Sequence, residues 1–153
     1  MRLLKSIILL SLTSLFFIGC EEDDTTGPNL GETTFEVEDQ ILSQNSVFVS
    51  SALFENDGWI VVHQDNGSDA PVVPDIISEP VFVEAGTSTD ILVPLTSEAE
   101  LTGDTKLWVM LHTDTGIEGE YEFDGQNGED APVTDGNGDI AMTQITVSPA
   151  TIQ

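Results

Sequence analysis

Two stretches of the sequence share one pattern of residues that could bind a metal ion. The first, WIVVHQDNG, runs from Trp59 to Gly67, and the second, WVMLHTDTG, runs from Trp108 to Gly116. They hold the two tryptophans and the two histidines of the chain. Imidazole and carboxylate groups suit zinc or copper. The pattern therefore predicts one candidate transition-metal site, with ligands drawn from His63, Asp65, His112, Asp114 and Glu118.

The two histidines must be positioned by β-strands. Residues 58–64 are apolar on both faces, as in a central strand, and residues 105–113 repeat the pattern. Two further strands, 79–84 and 89–95, are predicted between them, while 72–77 lies beside two prolines and is predicted to be a loop. Simple alternation of strand direction then places the two histidines at opposite ends of the sheet, which argues against a shared metal site.

A structural explanation of the repeat is favoured over the metal site. If the two strands are antiparallel neighbours with Val61 opposite Met110, the repeat becomes a set of symmetric cross-strand pairs. Such aromatic pairs contribute a few tenths to about 1 kcal/mol each, and the Asp-x-Gly triplets become turns that end the strands. The predicted pairs are Trp59 with His112, Ile60 with Leu111, Val62 with Val109, and His63 with Trp108.

The rest of the chain alternates short apolar runs with turn-forming residues. Clusters of Gly, Pro, Asn and Asp separate the runs, and no segment after Cys20 has a helical period. The pattern predicts an all-β fold, a single immunoglobulin-like β-sandwich of about 7–9 antiparallel strands. The predicted strands begin near Thr34 and then cover 46–53, 58–64, 79–84, 89–95, 105–113, 120–123 and 140–147.

The N-terminus has the order of a bacterial lipoprotein signal peptide. A short basic start is followed by an apolar run, which is shorter than the roughly 20 residues of a membrane span. Gly19 directly before Cys20, the only cysteine, resembles a lipobox. The resemblance implies a signal peptide over 1–19 and membrane anchoring through acyl chains on Cys20. A flexible acidic tether is predicted over 20–33 and a β-sandwich domain over 34–153.

The expected location is the cell envelope, at the outer membrane or the cell surface. The acidic run that follows Cys20 resembles the surface-export signal of lipoproteins in one large group of Gram-negative bacteria. A solvated spacer explains the same run equally well. With no second cysteine, a disulfide framework and a thiolate-ligated zinc or copper site are excluded.

The charge of the chain is strongly acidic. It has 28 Asp and Glu against three Lys and Arg, and Lys106 is the only basic residue after Cys20. Such a surface repels nucleic acid and anionic membranes, and it is compatible with cations, basic surface partners and salt-rich water. Because the acidic residues are spread along the chain, adaptation to high salt is favoured over specific calcium loading.

Two acidic segments are weaker candidates for calcium binding. DGNGD at residues 135–139 has the oxygen spacing of a calcium loop, but Ile140 and Thr146 replace the glycine and the glutamate of an EF-hand. A tight hairpin turn is favoured there. Tyr121 and Phe123 are expected in the core. A weak calcium site stays open in the segment after His112, which carries Asp114, Glu118, Glu120, Glu122, Asp124, Glu129 and Asp130.

Several segments in this order resemble a domain-of-unknown-function family of secreted bacterial and haloarchaeal proteins. They are WIVVH from Trp59, VEAGT from Val83, MLHTDTG from Met110, GEYEF from Gly119 and APV from Ala131. The resemblance covers roughly residues 35–147. It implies an extracellular β-sandwich and no particular chemistry, and its occurrence in salt-loving organisms fits the acidic composition.

Motifs of catalysis do not occur in the sequence. It contains no Gly-x-Ser-x-Gly elbow, no His-Glu-x-x-His helix and no phosphate-binding glycine loop. The sequence therefore predicts a lipid-anchored envelope protein with a non-enzymatic binding or structural role and without a cofactor. The alternative is a divalent-cation binder, with calcium in the acidic loops or zinc or copper at the two histidines.

Overall fold

The structure, a computed structural model, describes residues 33–99 and 101–150. These residues form eight strands and no helix, and the predicted all-β sandwich is confirmed. The predicted signal peptide, Cys20 and the tether up to residue 32 lie outside the described residues. The strands are β1 (Thr34–Glu36), β2 (Gln40–Ile41), β3 (Ser46–Phe54), β4 (Gly58–Gln64), β5 (Val81–Val83), β6 (Gly86–Pro94), β7 (Thr105–Thr113) and β8 (Met142–Ser148).

The strands form two sheets that face each other. One sheet has three strands in the order β1-β3-β6, and the other has five in the order β2-β8-β7-β4-β5. Among the described residues, no helix has the length and apolar character of a membrane span.

The space between the sheets is filled by aliphatic side chains and Phe54, which we call the inner core. Alternation along each strand directs every second side chain into this space, where burial of a Val, Leu, Ile or Phe contributes about 1.5–3 kcal/mol. The members include Leu42, Val47, Val49, Ala52, Phe54, Ile60, Val62, Ile77, Val83, Val93, Leu95, Leu107, Val109, Leu111, Ala141, Ile145 and Val147.

The predicted register of the duplicated segment is the one the structure has. β4 and β7 are antiparallel neighbours, and Val61 lies opposite Met110. The flanking pairs are Trp59 with His112 and His63 with Trp108. β4 lies between β7 and β5 and is buried on both faces, as its apolar sequence predicts.

Three details of the predicted strands are wrong. Residues 120–123 form no strand, because Tyr121 and Phe123 pack onto the face of the five-stranded sheet instead of extending its edge. β2 is absent from the prediction, and it pairs parallel to β8, so the sandwich is not wholly antiparallel. The strand predicted over 79–84 covers only Val81–Val83.

The DGNGD segment forms the predicted hairpin turn. Thr134 and Ile140 pair as an antiparallel bridge across it, and the Gly138 amide donates to the Asp135 carbonyl at 3.0 Å. The Asp135 carboxylate accepts the amides of Asn137 and Asp139. These backbone hydrogen bonds, that of Asp139 first, lower the pKa of Asp135. Its carboxylate therefore stabilises the turn.

Candidate functional site

The face of β4 and β7 that points away from the inner core carries the duplicated motif. Alternation places six side chains there, which we call the outer core, and all except the half-buried Trp108 are buried. Two connecting segments, 65–80 and 114–141, contribute the groups that contact them. The members of the outer core are Trp59, Val61, His63, Trp108, Met110 and His112.

Each tryptophan is bound by the aspartate of the other repeat. Trp108 Nε1 donates to Asp65 Oδ2 at 2.8 Å, and Trp59 Nε1 donates to Asp114 Oδ1 at 3.3 Å. The register explains this exchange, because antiparallel pairing brings the end of each strand beside the start of the other. The tryptophans and aspartates of the repeat thus fix the first residues of both covering segments.

The glycine of each repeat lies in the left-handed region that lets the chain turn off the sheet. φ is 79° at Gly67 and 98° at Gly116, a conformation that side chains with a Cβ rarely adopt. In the first repeat the Asp65 carboxylate also accepts the Gly67 amide at 2.7 Å. The Asp-x-Gly triplets therefore end the strands, in agreement with the sequence prediction.

Both histidines are held by backbone carbonyls of the covering segments. His63 Nδ1 lies 3.0 Å from the Val72 carbonyl and 2.8 Å from the Asp75 carbonyl, and His112 Nδ1 lies 2.6 Å from the Asp130 carbonyl. Since a carbonyl oxygen only accepts, each Nδ1 must carry the hydrogen. In a neutral ring, Nε2 is then left with a lone pair.

The two imidazole rings converge on one space. The Asp130 carbonyl contacts His112 from the side of β7 that faces β8, where Pro132 forms a β-bridge with His112. His63 is held from the far side of β4, where Val72 bonds to Gln64. Both rings are therefore held through Nδ1 by carbonyls that lie on the outer sides of the β4–β7 pair. The ring centroids lie 6.0 Å apart with a tilt of 30° between the rings.

These two nitrogen atoms are buried and without a partner. Neither His63 Nε2 nor His112 Nε2 has a hydrogen bond to any described residue, and both side chains are 0% exposed. The hydroxyl of Tyr121 is also buried and has no hydrogen-bond partner among the described residues. The centroid of the Tyr121 ring lies 5.6 Å from that of His112. Buried polar atoms are normally paired, so this group of three atoms is the chemical exception among the described residues.

Burial keeps the two histidines neutral. Desolvation lowers the pKa of His63, partly opposed by its two carbonyl contacts. Desolvation, with a smaller contribution from the neighbouring His63, lowers the pKa of His112 to about 4, although its contact with Asp130 opposes the shift. At neutral pH both Nε2 atoms are therefore unprotonated electron-pair donors. Desolvation also raises the pKa of Tyr121, which keeps its phenol protonated.

Aromatic rings surround the histidine pair. Phe123 packs edge-on against His112 at 4.7 Å, and Tyr121 packs against both His112 and Trp59. Phe82 on β5 lies 5.2 Å from Trp59. These contacts explain why Tyr121 and Phe123, which alternate like strand residues, lie over the sheet.

Asp130 holds the 114–141 segment in place. It is fully buried, and its two carboxylate oxygens accept the amides of Thr115 and Glu122 at 2.7 and 2.6 Å. Its own amide donates to the Thr115 hydroxyl, and its carbonyl binds His112. One residue thereby couples the covering segment to a histidine of the pair.

Residues 33–148 match the model of a family described as a domain of unknown function, DUF7282. The chain belongs to the DUF7282 family. The match confirms the resemblance to a domain-of-unknown-function family, and it spans all eight strands together with both covering segments. No curated protein and no solved structure matches the chain.

The DUF7282 domain does not assemble the full predicted ligand set. Within residues 33–99 and 101–150, no group of three or more His, Cys, Asp and Glu side chains could hold a metal ion. Asp65 and Asp114 point to the tryptophans, and Glu118 is exposed. The five-residue site proposed from the sequence is therefore wrong in its carboxylates.

The expectation that the histidines are kept apart is also wrong. Their backbone positions lie four residue pairs apart along the ladder, with Trp59–His112 at one end and His63–Trp108 at the other. Their rings nevertheless meet over the Val61–Met110 pair, because carbonyls on the outer sides of β4 and β7 turn each ring inward. Alternation of strand direction predicts the backbone positions of the two histidines correctly, but it does not predict the orientation of their rings.

Sequence reasoning passed over three residues of the DUF7282 site. The sequence pattern predicts Met110 only as the partner of Val61, Tyr121 only as a core residue, and Asp130 only as one of seven acidic residues. The alternation of Trp108, Met110 and His112 on one face is the signal that could have found Met110. No local signal distinguishes Asp130 from its acidic neighbours.

The acidic loop of the DUF7282 domain uses its carboxylates internally. Asp124 accepts the amides of Gln126 and Asn127, that of Asn127 being the main reason why its pKa is lowered. Glu122 accepts the Ile117 amide, and Asp114 accepts the Gly119 amide. These carboxylates stabilise turns and are not grouped around a common calcium position.

Proposed function

We propose that the chain is a lipid-anchored, non-enzymatic module of the cell envelope that binds a transition-metal ion between His63 and His112. One observation carries the proposal: two buried imidazoles, with ring centroids 6.0 Å apart, each have an Nε2 atom without a hydrogen-bond partner among the described residues. Calcium in the acidic loops is the weaker alternative, because the carboxylates there already bind backbone amides.

The surroundings of the histidines are those of metal ligands. A metal-bound histidine usually donates its second ring N–H to a carbonyl or carboxylate, which fixes its tautomer and orientation. Both Nδ1 atoms have such carbonyl partners. Because burial already keeps the rings deprotonated, a metal ion has no proton to displace near neutral pH.

Energetics also favour a ligand at this position. A buried acceptor without a partner costs about 1–3 kcal/mol of stability. The β-sandwich has two such nitrogens on facing side chains. A metal ion coordinated by both nitrogens would remove both costs at once, so its binding would stabilise the folded state directly.

The rest of the chain supports a role at a membrane surface. The lipobox-like sequence before Cys20 is compatible with an acyl anchor, and the acidic residues that follow it with a solvated tether. With 28 acidic residues against Lys106 in the exported portion, the domain attracts cations from its surroundings. The same charge suits salt-rich water, where the repulsion is screened.

Calorimetry with Zn²⁺, Ni²⁺ and Cu²⁺ tests the metal site. The sample is the full chain with Cys20→Ser, kept in detergent. The substitution removes the cysteine thiol, which could otherwise compete for the metal ion. We expect one ion per chain and a higher melting temperature, because an ion at 100 times its Kd adds about 2.7 kcal/mol of stability. His63→Gln and His112→Gln should each abolish this binding.

The matched controls are Asp65→Asn and Asp114→Asn, which alter the carboxylates of the same repeat. They should weaken the bonds to the tryptophans and leave the affinity for the ion within about twofold. Binding that survives in both histidine variants, or is lost in the aspartate variants while these stay folded, contradicts the proposed ligands. Labelling of growing cells with radioactive palmitate tests the anchor, since Cys20→Ser should abolish incorporation of the label into the protein.

A further inference from the structure

We infer that the ion preferred between the two histidines is copper(I), bound by His63 Nε2 and His112 Nε2 with the Met110 thioether as the third ligand. The inference rests on the proposed metal site and names its oxidation state and its sulfur ligand. Three observations support it: the separation of the rings, the small number of ligands, and the position of Met110.

The ring separation fits a wide angle at the metal. A metal ion about 2.0 Å from each Nε2 lies about 3 Å from each ring centre, so the ring centres lie about 6 Å apart across a linear arrangement and about 5 Å apart across a tetrahedral angle. The observed separation is 6.0 Å. Copper(I) accepts a wide angle between two nitrogen ligands with a third, sulfur ligand beside them, whereas zinc prefers a tetrahedron.

The small number of ligands excludes the usual zinc site. Structural zinc takes four protein ligands, and catalytic zinc takes three with a water. The described part of the chain brings no third His, Cys, Asp or Glu to the pair. Two imidazoles and a thioether are a sufficient set for copper(I), for which soft sulfur ligands are selective.

Met110 lies in the row between the two histidines. It is paired with Val61, while His112 lies two residue pairs to one side and His63 two residue pairs to the other side of that row. Its side chain is 1% exposed and belongs to the outer core, not to the inner one. Met142 lies beside it on β8 and shares its face, so a second thioether is nearby.

The apolar surroundings favour the lower charge. The cost of burying an ion rises with the square of its charge, so a divalent ion costs about four times as much as a monovalent one. His63 and His112 are both 0% exposed, and the rings of Tyr121 and Phe123 pack against His112. A monovalent ion with three neutral ligands is therefore the best match to this site.

The test measures affinity under anaerobic conditions by competition with bicinchoninate, a copper(I) chelator. The protein is the full Cys20→Ser chain in detergent, loaded with one equivalent of copper(I). We expect tight binding that Met110→Leu weakens about tenfold or more, while the affinity for Zn²⁺ stays unchanged. Met142→Leu is the matched control and should change the affinity less than about twofold.

X-ray absorption of the loaded chain gives a second readout that does not depend on a variant. We expect two nitrogen neighbours and one sulfur neighbour of copper, with the sulfur lost in Met110→Leu. Circular dichroism shows whether each variant is folded. Absence of sulfur from the spectrum, or equal copper(I) affinity with and without Met110, overturns the inference.

The outcomes separate this inference from the proposed function. If Zn²⁺ or Cu²⁺ binds through the two histidines and copper(I) does not bind more tightly, the copper(I) assignment is wrong and the metal site stands. If no ion binds at all, both are wrong, and the two nitrogens are bridged by an ordered water instead.

Discussion

The two faces of the five-stranded sheet are buried in different ways. The inner core consists of apolar side chains that only need to fill the space between the sheets. The outer core combines histidines and tryptophans with the 65–80 and 114–141 segments, whose carbonyls and carboxylates bind the histidine Nδ1 and tryptophan Nε1 atoms. The same two strands, β4 and β7, contribute to both.

This difference separates packing that depends on volume from packing that depends on individual hydrogen bonds. Apolar packing tolerates replacement by side chains of similar volume, so the inner core can hold the sheets together without specifying chemistry. The outer core depends on individual hydrogen bonds, and removing one partner leaves the other buried and unpaired. Unpartnered histidine nitrogens in that setting indicate a site for a ligand.

The largest effect is expected in the inner core, from Phe54→Ala. Phe54 is 1% exposed, and deleting a buried phenylalanine ring costs about 3–5 kcal/mol. Phe48→Ala on the same strand is the control, because that ring is 41% exposed and should cost much less. Urea denaturation measures both variants. Equal losses would show that the two faces of β3 are not distinguished as the structure indicates.

Acid should act next most strongly, and through the outer core. The pKa of His112 is about 4 in the folded state and about 6.5 in the unfolded state, so the unfolded state takes up the proton first. Stability from this group is complete above about pH 6.5 and falls toward pH 4, by up to about 3 kcal/mol. His63, whose pKa is also lowered, acts in the same direction.

Two aspartates near the histidines reduce the loss of stability at acid pH. Asp130 beside His112 and Asp75 beside His63 favour the protonated rings, but burial outweighs them. Between pH 7 and pH 4, the free energy of unfolding should fall more for the native sequence than for His112→Gln. The carboxylates are the same in both chains, so their titration cancels in this comparison. Identical pH profiles would contradict the burial of a neutral His112.

A smaller and more local effect is expected from Asp130→Asn. The substitution leaves one oxygen for two amide donors, so the amide of Thr115 or of Glu122 loses its acceptor at a cost of about 1–3 kcal/mol. Hydrogen exchange should accelerate in the 114–141 segment and stay slow in β3 and β8. Asp124→Asn, in an exposed turn, is the control and should leave both regions unchanged.

The smallest effect should come from the ion pair between Lys106 and Asp69. Both side chains are largely exposed, at 50% and 69%, and exposed pairs add little stability. Lys106→Gln should change the denaturation midpoint only slightly, and high salt should reduce even that difference. A large loss would mean that this pair, and not Trp108 with Asp65, holds the 65–80 segment on the sheet.

The sequence predicts the sandwich and the β4–β7 register because both depend on periodic patterns. Alternating apolar residues define the faces, and a repeat with equal spacing allows one symmetric antiparallel pairing. The orientation of the His63 and His112 rings depends on carbonyls 9 to 18 residues further along the chain. No periodic pattern encodes those contacts, so the convergence of the rings could not be predicted.

Residues 120–123 illustrate the same limit. Tyr121 and Phe123 alternate with acidic residues, which is the pattern of a half-buried strand. In the structure their rings pack against Trp59 and His112, while the backbone forms no ladder. A half-buried strand shows alternating buried and exposed residues, but an extended segment that packs on a sheet shows the same alternation. The pattern therefore does not distinguish the two.

The central claim is that both buried histidines carry an unprotonated Nε2 without a hydrogen-bond partner, on rings whose centroids lie 6.0 Å apart. Two-bond ¹H–¹⁵N correlation spectra of the metal-free chain at neutral pH measure the tautomer of each ring directly. The account predicts the Nδ1–H form for His63 and for His112, with only the Nε2 signals shifting when copper(I) is added. An Nε2–H tautomer or an imidazolium at either position would contradict it.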